Sequence, residues 1–343
     1  MVKFLFLILL LCTETANSQT LSDVNWKTAT PEQIQKLIDD GASVTDDLLI
    51  LAAGGNSNSA VIEALIKAKA DVNARDKDGV TPLMAAAGFN SNPAVIEALI
   101  KAKADVSARD QDGETPLMAA ASYNSNPTVI EALIKAKADV NARNKNGGSP
   151  LMLAAMFNSN PAVIKALIKA QADVSARDQI GWTPLMFAAN SDLAVIEALI
   201  KAKANVNARN KDGGTPLMLA ASFNSNPAVI EALIKAKADV NAQIDGGGTP
   251  LMAAAMNNSN PAVIEALIKA KADVSARTQN GWTPLMLAAS FNSNPAVIEA
   301  LIKAKADVNA RDKAGKTAFD YAEYNLEIKG TPVYWKLNDL MYK

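Results

Sequence analysis

Any catalysis by this 343-residue chain would have to be built from carboxylates, amines and hydroxyls, because the usual reagents are missing. There is no histidine, which removes the commonest general base, the commonest metal ligand and the side chain that titrates near neutral pH. The single cysteine, Cys12, lies close to the N-terminus, so the body of the protein has no thiol nucleophile, zinc-binding cysteine cluster or disulfide. What remains is a carboxylate pair or a Ser/Lys arrangement. The residues that could form one recur at a fixed interval. Lys69, Lys103, Lys137, Lys203, Lys237, Lys271 and Lys305 make one row, with Gln171 in the same place in one copy. Arg75, Arg109, Arg143, Arg177, Arg209, Arg277 and Arg311 make a second, and Asp71, Asp105 and Asp139 open an acidic row beside it. A catalytic group should be unique, whereas these read as scaffold. The one non-repeating stretch large enough to hold a site is YAEYNLEIKGTPVYWKL (Tyr321–Leu337).

Charge points the same way. With 34 basic and 35 acidic residues the net charge is −1, and the signs alternate instead of forming blocks. Nothing favours nucleic acid or an anionic membrane, and the basic rows read as solvated charge paired with the neighbouring acidic rows. No metal or cofactor is expected.

The elements that position these rows come from one motif written many times. Pro82, Pro116, Pro150, Pro184, Pro216, Pro250 and Pro284 mark its register at spacings of 34, 34, 34, 32, 34 and 34 residues. Leu48 and Ala318 take the same place in two divergent end copies. In DKDGVTPLMAAAGFNSNPAVIEALIKAKADVNAR (Asp76–Arg109), Asp-Lys-Asp-Gly predicts a turn with Gly79 free to take positive φ. Thr81 is placed to cap a helix whose first residue is Pro82, where a missing N–H does no harm. Leu83, Met84, Ala86 and Ala87 give that helix a buried side. Asn92 and Pro93 repeat the start signal, and Val95, Ile96, Leu99 and Ile100 fall on one face of a second helix. Glu97 and Lys101 stand four residues apart on its outer side. One helix pair cannot bury both its faces alone, so the units must stack.

At this level of detail DGxTPLMxAA…VIEALIKAKADVNAR resembles the ankyrin repeat, whose pattern includes T-P-L-H-x-A and a closing G-A-D-V-N-A. The resemblance covers the chain from about residue 31 to residue 343. It implies an all-α solenoid of eight to nine stacked helix pairs, with β-turn fingers along one edge and a concave face that usually binds other proteins. It brings no catalytic residues. Four departures stand out. Methionine replaces the family histidine (Met84, Met118, Met152, Met186, Met218, Met252, Met286) and is expected to continue the core. An enlarged FNSNP loop lengthens the unit by one residue. AANSDLAVI (Ala188–Ile196) shortens one copy, and lysine stands where the family glycine closes the second helix. A non-glycine residue at that left-handed position costs roughly 1 kcal/mol per copy. The lysine row therefore reads first as a duplicated local feature and only second as charge offered to a partner.

The domain reading follows. Residues 1–18 carry a basic start (Lys3), an apolar run from Phe4 to Cys12 and a small-x-small site at Ala16-Asn17-Ser18, the pattern of a signal peptide cut after Ser18. The apolar run is too short to span a bilayer, which takes roughly 20 residues. Residues 19–44 form a linker and an N-terminal capping helix that keeps the family glycine at Gly41, 45–311 form the repeat array, and 312–343 a C-terminal cap.

In the ankyrin family the residue ending the first helix commonly faces the groove beside the fingers. Here it is Phe89, Tyr123, Phe157, Phe223 and Phe291, with Asn257 in one copy and no aromatic in the short one. These rings form either a partner-binding row or a filler for the enlarged loops. Trp182 and Trp282 precede Thr-Pro, where sibling copies carry Val80, Glu114, Gly148, Gly214, Gly248 and Lys316. Variation among near-identical copies points to a position that folding does not fix, and the indoles are either anchors or covers for an adjacent finger. Glu114, with Lys77 and Lys211 on the finger turns, completes the candidate surface. The expected protein is an exported, non-catalytic, monomeric scaffold in the periplasm or outside the cell. It binds a protein partner and has no membrane span once the signal is removed, with lipidation at Cys12 as the alternative anchor. A self-associating spacer and an enzyme using carboxylate or lysine chemistry are the competing readings.

Overall fold

The computed structural model describes Leu21 and residues 24–341, so the signal segment and Cys12 lie outside the described residues. Every element among those residues is helical. Two compact units follow one another along the chain, one ending at Lys145 and the other beginning at Asn146.

The first unit holds α1 (Pro31–Asp39), α2 (Asp46–Gly55), α3 (Ser59–Lys67), α4 (Pro82–Phe89), α5 (Pro93–Lys101), α6 (Pro116–Tyr123) and α7 (Pro127–Lys135). The first helices of successive repeats pack side by side, α2 on α4 and α4 on α6, and the second helices form a parallel row of α1, α3, α5 and α7. The second unit repeats this plan. Its first helices are α8 (Pro150–Phe157), α10 (Pro184–Phe187), α12 (Pro216–Phe223), α14 (Pro250–Asn257), α16 (Pro284–Phe291) and α18 (Ala318–Ala322). Its second helices are α9 (Pro161–Lys169), α11 (Leu193–Lys201), α13 (Pro227–Lys235), α15 (Pro261–Lys269), α17 (Pro295–Lys303) and α19 (Pro332–Met341).

Caps explain where most of the helices start, α2 and α11 having no side-chain cap bond. Thr81 Oγ1 accepts the Met84 amide at 3.3 Å, and the Met84 sulfur takes back the Thr81 N–H at 3.5 Å. The methionine thus continues the core, as expected, and also closes a capping box that the family pattern would give to another side chain. Asn92 Oδ1 accepts the Ala94 amide and opens α5 behind Pro93. The N-terminal α1 has its own box between Thr30 and Gln33 and sinks Ile34 completely. In the first divergent copy the helix starts at Asp46, two residues ahead of the Leu48 register position, while the last begins at Ala318 after Thr317.

Burial exceeds what a one-sided helix predicts. In α4 every residue from Pro82 to Gly88 is buried, because the helix is flanked by a first helix on each side and by its own α5. The alanines let these backbones approach. The second helices are one-sided: α5 buries Val95, Ile96 and Leu99 and leaves Glu97 and Lys101 in solvent. Each such fully buried side chain contributes roughly 1.5–3 kcal/mol of transfer free energy.

Each second helix ends as the glycine-to-lysine departure requires. Lys69, Lys103, Lys137, Gln171, Lys203, Lys237, Lys271 and Lys305 all have φ between 64° and 74°, the left-handed region. At Lys237 the closing bonds are Ala238 N–H to Leu233 O at 3.0 Å and Lys237 N–H to Ile234 O at 2.9 Å, the Schellman pattern. The shortened copy replaces the last turn of its first helix with a 3-10 turn, Ala188–Asn190, and Ser191 Oγ bonds to Ala155 O at 2.9 Å.

Candidate interface between the fingers and the first helices

The fingers are small closed turns. Asp76 Oδ1 accepts the amides of Asp78 and Val80 at 2.9 and 2.8 Å, and Gly79 takes φ +83°. A Cβ at Gly79 would also stand 3.2 Å from Asp110 Cα, so both conformation and space demand glycine there. Successive fingers are joined through the backbone, Gln111 N–H to Asp78 O at 3.0 Å and Lys145 N–H to Asp112 O at 2.9 Å.

The arginine row serves the same purpose. Arg75 Nη1 donates to Gly79 O of its own finger at 3.3 Å and to Arg109 O of the next at 2.7 Å. Arg109 does the same toward Gly113 O and Arg143 O, and in the second unit Arg177 and Arg277 reproduce the pattern. These arginines stay exposed, and after the Ser107 hydrogen bonds the Arg75 charge helps to hold the Asp105 carboxyl down. Beyond the solvated charge expected of them, these residues tie main-chain carbonyls together.

In the first unit the fingers and first helices enclose a cleft of about 370 Å³. Phe89 and Tyr123 lie along it, stacked with centroids 5.7 Å apart and planes 16° from parallel. Both rings stay open to solvent, at 39% and 48% exposure. Asp78, Asp110, Asp112 and Glu114 line the finger side. Partial burial, then the charges of Asp110 and Asp112, push the Glu114 carboxyl above the ordinary range against a hydrogen bond with Asn144. Burial and the Glu114 and Asp110 charges likewise push the Tyr123 phenol up.

In the second unit Phe223 and Phe291 are 61% and 53% exposed, while Phe157 is half-buried. Trp182 is half-buried against Phe187 of its own repeat, centroids 5.2 Å apart. Trp282 stands between Phe291 at 5.9 Å and Tyr321 at 4.2 Å, which joins it to the C-terminal cap. The exposed Lys77 and Lys211 sit on separate finger turns in different units. Glu114, Phe89 and Tyr123 are therefore the sequence candidates that the structure gathers around one cleft.

Asparagines of the enlarged loops, whose residue type signals only a turn, also bind successive repeats together. Asn90 is buried, and its Nδ2 donates to Ala53 O at 2.9 Å and to Asn56 O at 2.7 Å while its Oδ1 accepts Asn92 N–H. Asn124 makes the equivalent bonds to Ala87 O and Asn90 O. In the second unit Asn224, Asn258, Asn292 and Asn325 continue the series, each on the repeat before it. The only signal was the asparagine's recurrence at the same place in the register.

Among the described residues no group of three or more Asp, Glu, His or Cys side chains could hold a metal ion, and no helix is long and apolar enough to cross a membrane. The sequence matches no curated protein. A family model for three-copy ankyrin repeats matches in overlapping windows from 29–110 through 251–329, which together cover residues 29–329. With the repeat register, the capped helix pairs and the finger turns accounted for residue by residue, this chain belongs to the ankyrin-repeat family.

Proposed function

We propose that this protein is an exported, monomeric, non-catalytic scaffold that binds a protein partner through the surface between its fingers and first helices. Ankyrin repeats are generally protein–protein interaction modules, and proteins built from them are typically non-catalytic. The observation that carries the reading is the aromatic at the end of the first helices. In α4 everything before it is buried, yet Phe89, Tyr123, Phe223 and Phe291 keep 39%, 48%, 61% and 53% of their surface in solvent. Folding gains little from rings left in water, whereas aromatic side chains anchor protein interfaces.

The test is photo-crosslinking capture of the partner by the wild-type chain, by Phe89→Ala/Tyr123→Ala and by Phe223→Ala/Phe291→Ala, alongside thermal melts. Loss of capture with the melt retained supports the surface. Full capture by both variants removes it. Export is supported by the sequence of residues 1–18, and intact mass of the protein from its own cell tests it. A chain starting at Gln19 supports cleavage after Ser18, and a lipid-bearing mass would transfer the anchor to Cys12. Fractionation then separates periplasmic from secreted protein.

A further inference from the structure

Two features of the first-unit cleft do not follow from the repeat. The stacked Phe89–Tyr123 pair keeps 39% and 48% of its surface in solvent, and the fingers opposite carry carboxylates that most sibling copies lack. The residue in the Glu114 place is Val80, Gly148, Trp182, Gly214, Gly248, Trp282 or Lys316 in the other copies. The place held by Asp78 and Asp112 is Asn146, Ile180, Asp212, Gly246, Asn280 or Ala314 in the second unit. Only the fingers lining this cleft have a carboxylate at that place in two successive copies. Asp110 differs from them, since its Oδ1 already accepts the Asp112 and Glu114 amides and belongs to the turn.

The arginines behind these fingers are committed to the turns, and the exposed Lys77 stands beside Asp78 at the finger tip. Arg75 and Arg109 spend their Nη1 groups on finger carbonyls at 2.6–3.3 Å. The charges that act on Glu114 are those of Asp110 and Asp112, both of its own sign. A half-buried carboxylate among like charges, sharing a cleft with two part-exposed rings, is complementary to a cation and repels an acidic partner.

We infer that this cleft seats a basic side chain of the partner, an arginine or lysine from a peptide segment, with its charge between Glu114, Asp78 and Asp112 and its body against Phe89 and Tyr123. The inference rests on the proposed function and names the chemistry of what is bound. A guanidinium suits the place well, because its plane can lie on a ring face while its edge donates to carboxylates. An alkylammonium reaches the same groups as a point charge.

The test uses a fluorescein-labelled peptide of alternating glycine and arginine, and the same peptide with citrulline for arginine, read by fluorescence anisotropy at physiological salt with the full chain. The expected result is binding of the arginine peptide and not of the citrulline peptide. Glu114→Gln and Phe89→Ala/Tyr123→Ala should each weaken the arginine peptide by about fivefold or more, the scale of one partly desolvated cation contact. Asp212→Asn, an exposed finger carboxylate of the second unit, should change it less than about twofold, as expected of screened surface charge. Glu114→Gln keeps side-chain shape and relieves like-charge repulsion, so its melting temperature should not fall. Equal losses for Asp212→Asn and Glu114→Gln would mean diffuse attraction and would overturn the inference. So would binding of the citrulline peptide or indifference to the aromatic pair. If Phe89→Ala/Tyr123→Ala abolishes partner capture while the arginine peptide is unaffected, the groove reading stands and the basic-ligand inference fails.

Discussion

Replacing Lys237, Lys271 and Lys305 together with glycine should stabilise the second unit. These residues sit at φ 72°, 68° and 64°, where a Cβ crowds the following carbonyl. Relief of that crowding is worth roughly 1–2 kcal/mol per site. Against it stands the extra freedom glycine gives the unfolded chain, about 0.5–1 kcal/mol. The net gain is about 0.5–1 kcal/mol per site, and near 2 kcal/mol for three sites one repeat apart that act nearly independently. The backbone bonds survive the change: Lys237 O still accepts Asn207 Nδ2 at 2.9 Å, and Lys271 O still accepts Asn241 Nδ2 at 3.2 Å. The side chains are exposed, so little packing is lost.

Urea unfolding followed by circular dichroism gives the global effect. Native-state hydrogen exchange at Ala238, Ala272 and Ala306, whose amides close the three helices onto Leu233, Leu267 and Leu301, gives the local one. Protection there should rise roughly two- to fivefold per site, the equivalent of the net gain. Gly41 provides the reverse experiment. It has φ +88° with nothing within 4 Å of an added Cβ, so Gly41→Ala should cost about 1 kcal/mol through conformation alone. A lower urea midpoint in the triple glycine variant, or unchanged protection at the three alanines, would refute the reasoning. Either result would show that the lysine stems stabilise the helix ends more than their backbone strains them.

Asn258→Ala strips three bonds from a buried site, those to Ala221 O, Asn224 O and from Asn260 N–H, and should cost about 3 kcal/mol at roughly 1 kcal/mol each. Asn260→Ala, at a more exposed cap, should cost about 1 kcal/mol, and calorimetry of the two variants checks the ratio. Arg277→Ala should lower the melting temperature by a similar amount at low and high salt alike, because Arg277 bonds to the carbonyls of Gly281 and Arg311, whereas an ion pair would be screened. The C-terminal cap should loosen at both extremes of pH. The hydrogen bond from the Tyr321 hydroxyl, aided by the Lys316 and Ala314 amides, holds the Asp312 carboxyl below its ordinary 3.8. A depressed pKa stabilises above the unfolded value, and the contribution disappears as pH falls through the folded one. Burial and the bond to Asp312 raise the Tyr321 phenol from 10.0 to about 12, so its contribution is full below 10.0 and is lost as pH climbs through about 12. Phenolate absorbance should show a tyrosine titrating at about 12 that is absent in Tyr321→Phe.

How much of this could be read in advance depends on the length scale of the interaction. Helix starts were legible because Thr81 with Pro82 and Asn92 with Pro93 act within three residues of themselves. The left-handed lysines were legible because a glycine belongs at that step of the register, and the torsion is local. Asn90 was not legible, since in a loop its residue type signals only a turn; its worth lies in carbonyls 34 and 37 residues earlier, which become neighbours only after stacking. The same holds for Arg75, whose decisive acceptor is 34 residues away, and for Trp282, which meets Tyr321 of the cap. A repeat hides these contacts by making them ordinary, since a residue that binds its counterpart in the next copy looks like inheritance. It also exposes their opposite. Stacking asks much the same of each full copy, so a finger that departs from its siblings answers either to a local packing need, as Val80 in its core cluster and Trp282 against Tyr321 do, or to something outside the fold. Glu114 is such a departure, and it lies beside the two rings that stacking leaves in water. The search for a ligand therefore belongs between the fingers at Asp76–Gly79 and Asp110–Gly113, where carboxylates depart from the sibling copies beside two part-exposed rings.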